Sequence, residues 1–202
     1  VIATSIYATI AYFTASDKVT NVITAGNVKI ELKEMMLTED SDTPVPFESK
    51  TGIMPGTEIS KIVTVKNTGN NAAYIRISVR NVICKLTDNG FLIDEQLTDK
   101  MEAYVAFNFN DKDWTYKDDG YYYYNNALAA DEETAPLFTK AEISGRTPDD
   151  YQNSQLRIDI TAHATQVANN GTDVFGAAGW YLNPEFTGGK FDFTSHKMPS
   201  HN

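Results

Sequence analysis

The sequence predicts an all-β fold, a sandwich or jelly roll of about eight short strands separated by turn signals. Three observations carry that expectation. Eleven Tyr and ten Phe stand beside many Thr, Val and Ile, residue types that fit a pleated, half-buried surface. Several segments alternate strictly between apolar and polar residues, which is the period of a strand with one face buried. Leu and Ala runs at helical spacing are scarce. A length of 202 residues suits a single domain whose core needs neither disulfide nor metal to fold.

The elements follow in order. Residues 1–13, VIATSIYATIAYF, carry no charge, Gly or Pro and read as one long extended strand. Ile2, Ile6, Ile10 and Tyr12 share one face of it, and Val1, Tyr7 and Phe13 the other. Residues 14–27 read as a polar link and a first short strand. Val28, Ile30 and Leu32 alternate with Lys29, Glu31 and Lys33 as a half-buried strand. The Pro- and acid-rich stretch 38–56 reads as a loop. Ile62 to Val65 is a strand closed by the turn Asn67–Asn71. Ile75, Ile77 and Val79 alternate with Arg76, Ser78 and Arg80. The phase then moves to Val82, Cys84 and Leu86, which predicts a bulge near Asn81. Met101, Ala103, Val105, Phe107 and Phe109 read as an alternating strand. Trp114–Tyr124 reads as a hairpin around Asp118-Asp119-Gly120, and Leu137–Ile143 as a strand. The clearest strand places Leu156, Ile158, Ile160, Ala162 and Ala164 on one face. Residues 87–100 and 144–153 leave room for short helical turns, and the last thirty residues for irregular packing.

The formal charge of −10 and pI near 4.7 exclude nucleic acid and anionic lipid as natural partners, since both require a basic face. The apolar run at the start falls short of the roughly 20 residues a membrane-spanning helix needs. Cys84 is the single cysteine, so no intrachain disulfide forms; its apolar neighbours mark it as a small buried hydrophobe. A chain that opens at Val1 without Met is expected to be a processed one, its export signal removed upstream.

Motifs for catalysis are missing. His163, His196 and His201 lie in no HExxH or paired-His spacing, and His163, on the polar phase of its strand, is expected at the surface. No GxSxG, P-loop or dinucleotide fingerprint occurs. The acidic clusters Glu39-Asp40-Asp42, Asp118-Asp119, Asp131-Glu132-Glu133 and Asp149-Asp150 lack the EF-hand order. They read as solvated loops, with room for a weak calcium site and for no other cofactor. The tetrad Tyr121–Tyr124 reads first as cross-strand packing, and otherwise as a subunit contact or a ligand-stacking face.

The first segment has the sharpest physical message. Thirteen extended residues span about 43 Å, and an apolar strand of that length left free invites aggregation. Either it folds back into its own sandwich, or it completes the sheet of a neighbour by strand addition, with Thr14–Lys18 as the link. The second arrangement is head-to-tail, and a head-to-tail contact that does not close makes a filament.

Three stretches resemble the TasA/camelysin family. Ala11-Tyr12-Phe13-Thr14, Asp17 and Thr20–Ile30 resemble the start of its mature members. Pro55-Gly56, Val63–Gly69 and Ala73–Arg76 are similar to its central motif. Gly120 with Tyr121–Tyr124, Leu128 and Thr134–Phe138 look like a motif of its Gram-positive members. Together they fall within residues 8–165. The resemblance implies a jelly-roll-like β-sandwich with an extended N-terminal donor strand and short helical or irregular insertions. It implies export to the cell exterior and assembly into biofilm-matrix fibres by donor-strand complementation. On that basis residues 1–13 are the donor strand and 14–202 a single jelly-roll domain, with Val1, Ile2, Ile6, Tyr7, Ile10, Tyr12 and Phe13 as the polymerisation residues. The implied partners are identical subunits, with a minor anchoring or accessory matrix protein as a further candidate. The family pattern puts cleavage near Ala11 or Tyr12, so this chain keeps about eleven residues more than the pattern expects: either the processing site lies further upstream, or this is a divergent subunit with a longer donor strand. Camelysin members are described as metallopeptidases; this chain lacks zinc-ligand spacing, no catalytic residue is carried over, and the expectation is a protein that is not an enzyme. The alternatives are a secreted metallopeptidase of that class, or a monomeric surface adhesin using exposed, coplanar Tyr rings of the 114–124 hairpin.

Overall fold

The computed structural model describes residues 13–23, as backbone, and residues 28–182. The described elements are strands β1 (Phe13–Ile23), β2 (Ile30–Thr38), β3 (Ser41–Pro46), β4 (Lys50–Ile53), β5 (Glu58–Ser60), β6 (Ile62–Asn67), β7 (Ala73–Thr87) and β8 (Gly90–Ile93). Helix α1 (Glu95–Lys100) and a 3-10 turn (Met101–Ala103) follow, then β9 (Val105–Phe107), β10 (Trp114–Tyr116), β11 (Tyr122–Tyr124), β12 (Lys140–Ile143) and β13 (Ser154–Gln166). Two further 3-10 turns cover Asp149–Tyr151 and Ala178–Leu182. The chain is all-β, as the composition and alternation predict.

The strands form two layers around one core. One layer is a seven-stranded sheet in the order β10-β11-β7-β13-β1-β4, with β8 paired to β7. The other comprises two three-stranded sheets, β3-β2-β6 and β5-β12-β9. Backbone bonds from residues 132–138 to β6 join them, among them Val63 N to Phe138 O at 3.1 Å and Leu137 N to Val63 O at 2.9 Å. Ile30, Leu32, Val63 and Val65 from one layer meet Ile75, Ile77, Leu156, Ile158 and Ile160 from the other. Each comes from the inward phase of its strand, which is why period-two reading of the sequence finds them.

Strands β7 and β13 form the spine, antiparallel from Ala73↔Gln166 to Lys85↔Ser154 without a register shift. The expected bulge near Asn81 is therefore absent. Ile83 stays on the core face with Ile75 and Ile77, while Val82 and Cys84 are buried on the opposite face. Both faces of β7 are covered there, and a strand buried on both sides loses its alternation without changing register.

Two other expectations are corrected. Residues 41–46 and 50–53 are strands, not loop; β3 lies at the margin of its sheet, where Pro44 and Pro46 cost no interior ladder bond. Residues 101–103 are helical rather than strand, and only 105–107 are extended. Asp94 caps α1 by accepting a bond from Leu97 N at 3.0 Å. Met101 and Val105, four residues apart, both enter the core, a spacing that helix and strand readings share.

Outside the main core, the opposite face of the large sheet carries a second apolar cluster. Tyr74, Tyr121 and Tyr123 pack there against Val174, Ala177 and Trp180. Residues 174–180 thus pack as irregular structure on the sheet. Gly179 permits the approach: a Cβ at this position would lie 1.9 Å from Thr165 Oγ1.

Candidate functional site

The residues expected to drive polymerisation divide in two. Val1, Ile2, Ile6, Tyr7, Ile10 and Tyr12 lie outside the described residues. Phe13 opens β1, its Cα in register with Ser154 on one side and Ile53 on the other. Thr14–Lys18, expected as a polar link, are part of the same strand. The sequence signal was weak there because a sheet position is secured by backbone bonds, and FTASDKVTNVI offers β-branched residues without a clean alternation.

Strand β1 pairs parallel with β13 over eleven consecutive positions, Phe13↔Ser154 to Ile23↔Ala164. Every other strand pair among the described residues is antiparallel. On its far side β1 meets β4 only at Phe13↔Ile53 and Ala15↔Lys50. From Ser16 to Ile23, β13 is its one described partner strand. The slot is firm on the β13 side, where Leu156, Ile158, Ile160, Ala162 and Ala164 anchor the strand in the core.

Phe13, Ser154, Lys85 and Leu92 stand side by side across β1, β13, β7 and β8. Beside them, the β7–β8 hairpin exposes Leu86 (66%), Phe91, Leu92 and Ile93. By the register, Leu86, Phe91 and Ile93 share one face of this hairpin and Leu92 lies on the other.

Chemistry elsewhere is structural. His163, expected at the surface, is 2% exposed. It lies under Tyr121, ring centroids 5.5 Å apart; burial, helped by the charge of Arg76, lowers its pKa to about 4. The polar phase of β13 is covered at this point by the second cluster, which strand alternation alone does not reveal. Arg76 sits in the same cluster, its guanidinium 4.0 Å from the Tyr121 ring centroid and 4.6 Å from that of Trp180. It donates to Tyr123 OH at 3.1 Å, and Tyr123 donates to Asp119 at 2.6 Å. Tyr121 and Tyr123 are therefore packed, not the exposed coplanar rings an adhesin face requires. The hairpin itself forms as expected, with Trp114 opposite Tyr124 and Tyr116 opposite Tyr122. Burial pushes the Cys84 thiol up, which suits the inert hydrophobe expected from sequence.

Among the described residues, no group of three or more His, Cys, Asp or Glu is placed to hold a metal ion. From the acidic cluster 131–133, Glu133 ties to the β2–β6 sheet, accepting from Lys33 at 2.6 Å and from Thr64 at 2.5 Å. Burial raises the Glu133 pKa, but the bonds from Lys33 and Thr64 outweigh it and hold the group below its ordinary value. A buried ion pair went unread in the sequence: Lys61 Nζ lies 2.8 Å from Glu34 Oε2, beneath the Phe47 ring at 3.9 Å. The available signal was Glu34 itself, a charge on the inward phase of Ile30, Leu32 and Met36. No helix among the described residues is long and apolar enough to cross a membrane.

No family model, curated protein or solved structure matches this chain.

Proposed function

We propose that this chain is a structural subunit of an extracellular fibre of the TasA/camelysin type. In this reading it is a jelly-roll sandwich that polymerises head to tail by lending its N-terminal strand to the next copy. The observation that carries the reading is the pairing of β1. It is the first described strand, parallel to β13 in an otherwise antiparallel described fold, and it has one described partner strand over most of its length. The backbone ladder between β1 and β13 is one that any copy of the same segment can make in the same register. Exchange of an identical element between copies therefore loses few interactions. The apolar sequence before Phe13 and the exposed hairpin at the same end add surface that is best buried between subunits.

Electron microscopy of the purified protein at neutral pH tests this reading. The expected result is long, regular filaments from the intact chain, and none from a chain lacking residues 1–23, which folds as single domains when a peptide of residues 13–23 is supplied to restore β1. Filaments from the truncated chain, or monodisperse domains from the intact one, overturn it.

A further inference from the structure

A cleft of about 580 Å³ opens between β7, the β10–β11 hairpin, α1 and β9. Its volume falls in the range of small-ligand sites. The floor is apolar, with Val79, Val105 and Phe107. One wall is aromatic: Phe109 stacks on Tyr122 at 4.3 Å with 22° between planes, and Tyr116 lies 4.8 Å from Tyr122. Tyr116 is 57% exposed, so its ring is available at the mouth.

The polar lining is rich in acceptors. Asp99 and Glu102 line the cleft from the helical side, both on the exposed surface. Asn81 Oδ1 is buried and has no hydrogen-bond partner in the structure. Arg80 is the one basic residue of the lining, and Glu95 engages it at 3.0 Å. Acceptors and carboxylates thus face an aromatic wall, with no cation among the lining residues left to balance them. Burial raises the Tyr122 pKa to about 12, with Tyr116, Asp111 and Glu102 adding to it, so the hydroxyl stays a neutral donor and acceptor.

From this arrangement we infer that the cleft receives a basic side chain, lysine or arginine, from a partner protein. The aliphatic stem lies on Val79, Val105 and Phe107, and the cationic head meets the Tyr122–Tyr116 wall, Asp99 and Glu102. A cation over an aromatic face and near carboxylates is attracted by both, and long basic side chains place apolar stem and charged head in this manner. Charge complementarity favours this occupant over a neutral sugar, since two carboxylates add little to a neutral ring and a chain of net charge −10 draws basic partners. This inference is independent of the fibre reading.

Saturation-transfer NMR, which observes the ligand and tolerates large assemblies, tests it on the full chain. The probes are Nα-acetyl-lysine methylamide, its arginine counterpart, the norleucine analogue that lacks the cation, and methyl glucoside. The lysine or arginine probe is expected to bind saturably, the norleucine analogue at least tenfold more weakly, and the glucoside without competing. Glu102→Gln and Asp99→Asn together are expected to weaken the basic probe at least fivefold. Tyr116→Ala does likewise, while Asp131→Asn, a carboxylate outside the lining, leaves binding unchanged. Unchanged circular dichroism establishes that each variant folds. Equal binding of the lysine and norleucine probes, competition by the glucoside, indifference to the Glu102 and Asp99 changes, equal loss with Asp131→Asn, or no binding of any basic probe overturns the inference.

Discussion

Proline placed at Val19 or at Thr20 separates the two edges of β1. In a strand, successive N–H groups point to opposite edges, so one of these neighbours faces β13 and the other faces the side that has no described strand beyond Ala15. The two residues stand opposite Ile160 and Thr161, well inside the paired stretch and away from fraying ends. Proline on the β13 side deletes a ladder bond and leaves a β13 carbonyl without its donor, a loss of about 1–3 kcal/mol. Proline on the open side removes no ladder bond, and edges tolerate it; the expected change is within about 0.5 kcal/mol. The pair should therefore differ by about 2 kcal/mol, roughly 30-fold in the folding equilibrium. Urea unfolding followed by far-ultraviolet circular dichroism at micromolar concentration measures the difference, and filament yield by electron microscopy should follow the same order. Equal destabilisation by the two prolines, or no change from either, would refute a β1 bonded to β13 on one side only.

Three further outcomes follow from the packing. Lys61→Met leaves the 4%-exposed Glu34 carboxylate without its ammonium partner and is expected to cost about 3–5 kcal/mol, most of it recovered when Glu34→Leu is added; urea midpoints of the two variants decide it. His163 is held neutral in the fold by a pKa near 4, below its unfolded value of about 6.5. Protons bind the unfolded chain first, so stability is full above about pH 6.5 and declines by on the order of 3 kcal/mol as pH falls towards 4; His163→Gln should flatten that part of the urea-midpoint profile. Gly179→Ala drives a methyl into Thr165, 1.9 Å from Oγ1 and 2.8 Å from Cβ, and should cost about 1–3 kcal/mol, with a red shift of tryptophan fluorescence as Trp180 leaves its pocket.

The sequence by itself determined the all-β class, the core faces of β2, β13 and the first half of β7, and the aromatic hairpin, because each is written in local alternation and turn chemistry. Residues such as Ile30, Ile75 and Leu156 announce their direction whatever they eventually meet. It also carried the helical turns near 95–100 and 149–151, but not that of 101–103, because Met101 and Val105 fit a strand equally well until Asp94 is seen to cap a helix. What lay beyond it depended on which surfaces come together. His163 occupies a phase that reads as exposed, and only tertiary contact buries it. The partner and direction of β1 rest on backbone bonds, which carry no side-chain signature, so nothing in FTASDKVTNVI specifies a parallel neighbour 141 positions downstream, as the Phe13↔Ser154 pairing requires. The acceptor-lined cleft assembles from β7, α1, β9 and the β10–β11 hairpin. Local sequence sets the character of each piece, whereas the alignment of carboxylates with an aromatic wall is decided by how the pieces pack.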